Sequence, residues 1–169
     1  MSRQRPATAL HKVRLVAFDV DGVFTDGRFY LSDAGVESKA FCTQDGFGIR
    51  RLLSAGVEVA VISGRTSAAV ALRMDELGVR HVVQGCGDKI AAFDGMINTL
   101  GISAADCAYV GDDVPDMPLL ARVGVSFAVA NAVQELHDAC HYSTRASGGF
   151  GAVREVCDLL LHARQRDAT

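Results

Sequence analysis

Two aspartates, Asp19 and Asp21, stand one residue apart in the segment AFDVDGVFTDG at 17–27. They follow the apolar run Leu15–Phe18, which predicts a buried strand, so the carboxylates lie where that strand leaves the core. Carboxylates this close repel each other, and the repulsion raises the pKa of such groups. A site built this way needs a cation between the carboxylates, or it uses one of them to transfer protons.

Polar groups also follow the other predicted strands. The segment ISGR places Ser63, Gly64 and Arg65 after the second strand, and QGCGDK ends at Lys89 after the third. GDDVPD follows the fourth strand. In an open parallel sheet, ligands bind outside the carboxyl ends of the strands, so we expect these groups to meet there. The acidic members of the last segment are Asp112, Asp113 and Asp116.

This set of residue types suits phosphoryl transfer. Carboxylate ligands without a histidine or cysteine cluster favour Mg²⁺, which also takes waters and substrate phosphate. Lysine is a point charge for phosphate, and the Ser63 hydroxyl with nearby backbone N–H groups can bind phosphoryl oxygens. One carboxylate can attack phosphorus while a second transfers protons. Taken singly, each feature has a plain structural explanation: a solvated turn, a surface lysine, or helix capping by Asp113 and Asp116.

The elements that must position these groups alternate between strand and helix. Near-continuous apolar strands predict a parallel sheet covered on both faces, a Rossmann-like doubly wound α/β fold. A glycine follows each of four predicted helices, at Gly56, Gly78, Gly101 and Gly124, where it would form a left-handed C-terminal cap. The predicted strands are Arg14–Asp19, Val57–Ile62, Arg80–Val83, Cys107–Val110 and Val125–Ala128.

One segment interrupts this alternation. Arg28–Leu31 and Ser38–Phe41 flank SDAGVE and predict a β-hairpin with Gly35 in its turn. Because the hairpin comes directly after the first aspartates, we expect it to act as a flap over the site.

The composition fits one domain of ordinary size. The chain has 169 residues, of which 49% are hydrophobic, and we expect frayed ends at about 1–12 and 164–169. A net charge of −3 gives no reason to expect nucleic acid, and no apolar run approaches the roughly 20 residues of a membrane span. Five scattered cysteines and no apolar leader favour a reducing cytoplasm.

The motifs, in this order, resemble those of the haloacid dehalogenase superfamily of phosphohydrolases. DVDGV is similar to its first motif, ISGR to its second, Lys89 to its third and GDDVPD to its fourth. The resemblance implies that Asp19 is the nucleophile and a Mg²⁺ ligand, and that Asp21 is the acid/base and offers its backbone carbonyl to the metal. Asp112 completes the metal ligands. Ser63 and Lys89 hold the phosphoryl group, with Asp113 and Asp116 orienting Lys89 and metal-bound waters.

Longer segments, including DGFGIRRL and GGFGAVREVCDLLL, resemble the family of 3-deoxy-D-manno-octulosonate 8-phosphate (KDO 8-P) phosphatases. That resemblance implies a fold without a cap domain, a sugar-acid phosphate as substrate, and a role in lipopolysaccharide biosynthesis. It also implies a homotetramer in which a neighbour's C-terminal segment closes the site. Arg65 and Arg73, with Gly64 beside them, would bind substrate, although Arg73 could equally be an ion-pairing surface residue near Asp75 and Glu76.

Three positions depart from that family's pattern: Cys42, Gln44 and Phe150. They lie in the predicted flap and tail, so they leave an N-acylneuraminate 9-phosphate open as an alternative substrate. A phosphorylated receiver domain also gathers aspartates, a hydroxyl and a lysine, but in another order along the chain. A catalytically silent domain is disfavoured because all four motifs keep the residues that the chemistry needs.

Overall fold

The computed structural model describes residues 10–168 and contains a six-stranded sheet with every neighbouring pair parallel. The order β5-β4-β1-β6-β7-β8 shows that the chain adds strands on one side of β1 and then returns to the other side. The direction of winding therefore reverses between β1 and β6. The strands are β1 Leu15–Phe18, β2 Tyr30–Leu31, β3 Glu37–Ser38, β4 Glu58–Ile62, β5 His81–Val83, β6 Cys107–Gly111, β7 Val125–Ala128 and β8 Tyr142–Ser143.

Helices cover both faces of this sheet, which confirms the predicted doubly wound α/β fold. Along β1, Val16 and Phe18 face one core while Leu15 and Ala17 face the other, because successive strand residues point to opposite faces. The first core also contains α1 Thr43–Ser54, α2 Ala68–Leu77 and α6 Ala152–Asp167, and the second contains α3 Lys89–Leu100, α4 Met117–Arg122 and α5 Gln134–Ala139.

The five predicted long strands form, each within about a residue of its predicted bounds, whereas β8 and α5 were not predicted. Gly78 and Gly101 are left-handed C-caps of α2 and α3, with φ of 80° and 63°, as predicted. The prediction for Gly124 was wrong: α4 ends at Arg122 and its C-cap Val123 is extended. There the chain turns directly into β7 instead of closing the last helical turn.

The predicted hairpin is present, but it is shorter than its sequence pattern. Tyr30 pairs with Ser38 and Leu31 with Glu37, and Gly35 lies in the turn with φ of 78°. We call residues 28–41 the flap. Ladder pairing covers two residues on each side, and the flanking side chains of Phe29 and Lys39 contact Arg65 and Asp21, respectively. Within residues 10–168 no cap domain is inserted.

The two ends of the described chain pack together, at residues for which the sequence predicts fraying. The short 3-10 helix Leu10–Lys12 lies against α6, which continues to Asp167. Arg164 Nη1 donates to the Val13 carbonyl at 3.1 Å, so α6 has a tertiary anchor at its end. The predicted frayed residues 1–9 and 169 lie outside the described part. No helix in that part is long and apolar enough to cross a bilayer.

Candidate active site

Asp19 leaves the sheet at its centre, beside the point where the winding direction reverses. Phe18 is in register with Val61 of β4 and Val110 of β6, and the Asp19 N–H donates to the Val110 carbonyl at 3.0 Å. Ser63 and Asp112 therefore follow the two strands that flank Asp19. Such a reversal in an open α/β sheet is where ligands bind.

Lys89 connects the first and last acidic segments. It is the first residue of α3, whose start is capped by the Asp88 carboxylate accepting from the Ala91 N–H at 3.0 Å. Its Nζ lies 3.0 Å from Asp19 Oδ1 and 2.8 Å from Asp116 Oδ1. The ammonium is thus held between two carboxylates, at a point set by the start of a helix.

Both carboxylate oxygens of Asp116 accept hydrogen bonds. Its Oδ1 also accepts from the buried Tyr109 hydroxyl at 2.7 Å. Its Oδ2 accepts from the backbone N–H groups of Asp112 at 3.1 Å and Asp113 at 3.4 Å. The Asp113 side chain instead accepts from the Val114 N–H at 2.7 Å and caps a short 3-10 helix. The structure therefore brings Asp116 to Lys89 and uses the Asp113 carboxylate for capping.

Burial and mutual repulsion destabilise the charged forms of the Asp19 and Asp112 carboxylates, which favours the binding of a cation between them. Burial, reinforced by the Asp116 charge and opposed by Lys89, raises the pKa of Asp19 to about 6. Burial and the charges of Asp19, Asp116 and Asp113 raise the pKa of Asp112 to about 7. Burial acts to lower the pKa of Lys89, but the two adjacent carboxylates outweigh it and raise that pKa. One ammonium does not balance these carboxylates.

The donor set fits a hard divalent cation. Carboxylate oxygens of Asp19, Asp112 and Asp116 lie within 4.8 Å of one another. Because both Asp116 oxygens already accept hydrogen bonds, Asp19 and Asp112 are the members with free coordination capacity. Gly22, at φ 87°, keeps the space beside Asp112 open, since a Cβ there would lie 1.9 Å from Asp112 Oδ2. Carboxylate oxygens are the ligands that Mg²⁺ prefers.

The Asp21 carboxylate points away from this cluster and towards the flap. Its Oδ1 accepts from Lys39 Nζ, and its Oδ2 lies 3.7 Å from Arg65 Nε. Arg65 Nη2 also donates to Glu37 Oε2 at 2.7 Å. The two aspartates of the first motif therefore belong to two separate charge networks.

The remaining predicted residues are placed as follows. Ser63 is buried after β4, and its hydroxyl accepts from the Arg65 N–H at 3.3 Å. A Cβ on Gly64 would come no closer than 3.8 Å to the Cys86 carbonyl, so the backbone there is accessible. Arg73 does not join the cluster of aspartates. Its guanidinium donates to Glu76 at 2.7 Å and packs over Gly46 of α1, in keeping with the ion-pairing interpretation.

Gln44, one of the three departures from the family pattern, lies beside the residue that follows another, Phe150. A Cβ on Gly151 would lie 3.9 Å from Gln44 Oε1, one residue after Phe150. This segment is anchored on its own chain, since the Gly149 N–H donates to the Val23 carbonyl at 3.1 Å. The Phe150 ring projects from that anchor and is 71% exposed. Cys42 is the N-cap residue of α1 and Gln44 lies in its first turn, so neither belongs to the flap in which the sequence predicts them.

The sequence analysis missed Lys39, Glu37 and Tyr109. Lys39 stands in a predicted exposed hairpin, where a lysine is ordinary, and Tyr109 is inside a buried strand, where an aromatic residue is ordinary. The only available signal was the rarity of lysine, since the chain has it at 12, 39 and 89 alone.

The site combines paired carboxylates with an ammonium, at the point where the winding of a parallel sheet reverses. This combination is typical of enzymes that act on phosphate esters. The family model for haloacid dehalogenase-like hydrolases matches residues 81–153. The fold and the site thus agree on a class, the phosphohydrolases of that superfamily.

Comparisons with individual proteins narrow this class. The KDO 8-P phosphatase of Escherichia coli is 47% identical over 152 residues, covering 90% of this chain and 81% of the relative. The crystal structure of the Yersinia pestis KDO 8-P phosphatase has a TM-score of 0.92 at 44% identity and covers 94% of this chain and 85% of its own. The Moraxella catarrhalis phosphatase, in complex with magnesium, phosphate and KDO, has a TM-score of 0.91 at 42% identity, covering 95% and 92%. The chain belongs to the KDO 8-P phosphatase family of haloacid dehalogenase-like hydrolases.

Proposed function

We propose that this chain is a single-domain, Mg²⁺-dependent phosphatase that acts through an aspartyl-phosphate on Asp19. The observation that carries the proposal is the Lys89 ammonium, which lies 3.0 Å from Asp19 and 2.8 Å from Asp116 beside the carboxylate of Asp112. An ammonium so placed restrains the attacking carboxylate and faces the charge of an incoming phosphoryl group.

The reaction has two displacements at phosphorus. An Asp19 carboxylate oxygen attacks phosphorus, and the bond to the sugar oxygen breaks as Asp21 gives that oxygen a proton. Asp21, now a carboxylate, then takes a proton from water as the water oxygen attacks phosphorus. Phosphate leaves, Asp19 is regenerated, and the net change is one water consumed for one ester cleaved.

The other groups bind and orient. The Ser63 hydroxyl, the Gly64 backbone N–H and Lys89 hold the phosphoryl oxygens, while Asp116 orients Lys89. The carboxylates of Asp19 and Asp112, with the backbone carbonyl of Asp21, would hold Mg²⁺, and Asp113 would orient its waters. When bound, Mg²⁺ supplies positive charge that offsets carboxylate repulsion and stabilises the phosphoryl group.

KDO 8-P is the substrate that we favour, which places the reaction in lipopolysaccharide biosynthesis. The identity of 46–47% to relatives named for this activity supports it, as does the close structural neighbour that holds KDO. Arg65 and Arg73 are proposed to bind the charged groups of the sugar acid. An N-acylneuraminate 9-phosphate is the second candidate, because Cys42, Gln44 and Phe150 depart from the family pattern, and Gln44 lies beside the residue that follows Phe150.

The test is phosphate release from KDO 8-P, N-acetylneuraminate 9-phosphate, mannose 6-phosphate and p-nitrophenyl phosphate, with and without Mg²⁺. We expect Mg²⁺-dependent turnover with a strong preference for KDO 8-P. Asp19→Asn removes the nucleophile at constant volume, so we expect turnover to fall by about 10⁴-fold or more with every substrate.

Preference for N-acetylneuraminate 9-phosphate would keep the mechanism and change the substrate. Turnover by Asp19→Asn near that of the wild-type protein would refute the nucleophile assignment. No release from any ester would favour a catalytically silent domain.

The homotetramer is part of the same proposal. Phe29, Tyr30, Leu31 and Val36 leave an exposed apolar surface on the flap, which is typical of a protein interface. Although Gly149 anchors the C-terminal segment on its own chain, the exposed Phe150 ring of that segment would reach a neighbour's site in such an assembly. The five free cysteines support a cytoplasmic location. Light scattering at several protein concentrations tests the tetramer.

A further inference from the structure

Lys39 is an unusual lysine because none of its side-chain surface is exposed. Lysine is almost never fully buried unless it is paired. Here the ammonium donates to Asp21 Oδ1, lies 3.6 Å from Glu37 Oε1, and is 5.9 Å from the centre of the Phe29 ring. The flap therefore carries a buried cation directly onto a carboxylate of the proposed catalytic machinery.

Four charges close a ring of alternating sign at this place. Lys39 bridges Asp21 and Glu37, and Arg65 bridges the same two carboxylates from the other side, at 3.7 and 2.7 Å. Two members belong to the flap and two to the sheet edge. Phe29 lies over the Arg65 guanidinium, with its ring centre 4.2 Å from Cζ. The ring of charges is therefore a clasp between flap and sheet, and we call these four residues the clasp.

The clasp distinguishes the two oxygens of Asp21. An ammonium has only donors, so the oxygen that faces Lys39 acts as an acceptor in either protonation state of the carboxyl group. Oδ1 is that oxygen. Arg65 Nε lies 3.7 Å from Oδ2, beyond hydrogen-bond distance, so Oδ2 is the oxygen that can carry the proton given to the leaving oxygen and later taken from water.

We propose that Lys39 is a positioning residue that fixes Asp21 through Oδ1 and thereby makes proton transfer at Oδ2 depend on the seated flap. The inference rests on the proposed function of Asp21 as the acid/base. Loss of Lys39 leaves the Asp21 carboxyl free to rotate, and a misplaced proton donor costs the most where the leaving oxygen is a strong base.

The experiment compares leaving groups in Lys39→Met, which keeps the length of the side chain and removes its charge. A sugar alkoxide needs a proton to leave, whereas p-nitrophenolate is a weak base that leaves without one. We expect kcat for KDO 8-P to fall by about 100-fold, while the first displacement with p-nitrophenyl phosphate keeps its rate within about threefold. Hydrolysis of the aspartyl-phosphate then becomes slow, so stopped flow shows a nitrophenolate burst equal to the enzyme concentration.

Three variants serve as controls. Lys12→Met changes an exposed lysine at the opposite edge of the sheet and should match the wild-type protein. Asp21→Asn should show the same burst as Lys39→Met. The double variant Lys39→Met with Glu37→Gln keeps the clasp neutral, so a burst there as well excludes misfolding from an unbalanced buried charge.

The outcomes separate this inference from the proposed function. Equal losses with both substrates and no burst in Lys39→Met, while Asp21→Asn gives a burst, would overturn the role of Lys39 and leave the mechanism standing. If Asp21→Asn shows no dependence on the leaving group, the proposed acid/base itself fails, and the role of Lys39 fails with it. A burst in both, with a normal Lys12→Met, supports the inference.

Discussion

The two aspartates that follow β1 are each held by a lysine, and the two lysines stand on contrasting parts of the molecule. Lys89 begins the twelve-residue helix α3 and meets Asp19 beside the centre of the sheet. Lys39 follows the two-residue strand β3 of the flap and meets Asp21. The proposed nucleophile is thus positioned by regular structure, and the proposed acid/base by an insertion between regular elements.

This difference has a physical consequence. The contacts of Lys89 are reinforced by Asp116, which is tied to backbone N–H groups and to Tyr109 within one core. The flap exposes Tyr30 and Leu31 by 70% and 66%, and it is linked to the sheet edge through the clasp. Segments with few buried apolar contacts open at low free-energy cost. On the proposed mechanism, the groups for attack on phosphorus are therefore held in place by the sheet, whereas proton transfer by Asp21 depends on the position of the flap.

The largest effect is expected from Lys89→Met, which tests whether Lys89 and Lys39 support different steps of the reaction. The change removes the charge that restrains Asp19 and faces the phosphoryl group, which every ester shares. We expect kcat to fall by about 10²–10³-fold for both KDO 8-P and p-nitrophenyl phosphate, without a burst of nitrophenolate. Steady-state and stopped-flow kinetics with the two substrates measure it.

The control is Lys89→Met combined with Asp116→Asn, which restores the charge balance around Asp19 and separates folding from catalysis. A Lys89→Met protein that loses activity only with KDO 8-P would contradict the division, because both lysines would then act on the leaving oxygen.

A second, smaller effect is expected on stability, which should depend on pH and on Mg²⁺ through the carboxylates of Asp19 and Asp112. Burial first, and then neighbouring carboxylates, raise the pKa values of Asp19 and Asp112 to about 6 and 7, from 3.8 in the unfolded chain. Between about pH 4 and 7 the folded state therefore binds more protons than the unfolded state. These two groups consequently make the metal-free protein less stable as pH rises through that window.

Mg²⁺ competes with protons for the carboxylates of Asp19 and Asp112, so the stabilisation by Mg²⁺ should increase as pH rises. At 100 times its Kd, a ligand stabilises by about 2.7 kcal/mol, or about 5–10 °C in Tm for a chain of this size. We expect that rise in Tm on adding Mg²⁺ above pH 7 and nearly none below pH 5, as measured by calorimetry. Asp112→Asn should lose most of it at high pH. A rise independent of pH would remove these carboxylates from the metal site.

The sequence predicts well the half of the site that is anchored on the sheet and its helices, for a physical reason. This anchored half consists of Asp19, Lys89, Asp112 and Asp116. Apolar runs define the strands, and parallel strands bring their carboxyl ends together, so Asp19 and Asp112 are predictably close once the fold is known. Lys89 and Asp116 follow because Lys89 begins α3 after β5 and Asp116 is the N-cap residue of α4 after β6. The contact between Lys89 and Asp116 agrees with the role that the family resemblance implied.

The flap half could not be predicted in the same way. A hairpin pattern gives a turn at Gly35, but it does not say which side of the hairpin faces the protein or where ladder pairing stops. That choice places Lys39 on Asp21 instead of in solvent. Arg65 and Arg73 show the same limit, since one joins the clasp and the other pairs with Glu76 on its own helix.

The smallest effect is that of Tyr109→Phe, which removes one buried hydroxyl from the anchored network. Asp116 Oδ1 loses the 2.7 Å hydrogen bond from Tyr109 but keeps Lys89, and Oδ2 keeps two backbone donors. We expect a loss of about 1.5–3 kcal/mol in the free energy of unfolding, as for other hydrogen bonds to charged groups, with kcat lowered less than about fivefold. Urea unfolding and kinetics with both substrates measure the two effects.

This variant sharpens the comparison because it separates stability from catalysis. Several donors hold Asp116, so losing one costs folding free energy while Lys89 stays in place. Among residues 10–168 the Asp21 carboxylate has a single close donor, Lys39, with Arg65 Nε at 3.7 Å, so fewer donors hold it than hold Asp116. If Tyr109→Phe lowered kcat as much as Lys39→Met, and only for KDO 8-P, the two networks would have to act as one, and the contrast between anchored and flap-dependent positioning would fail.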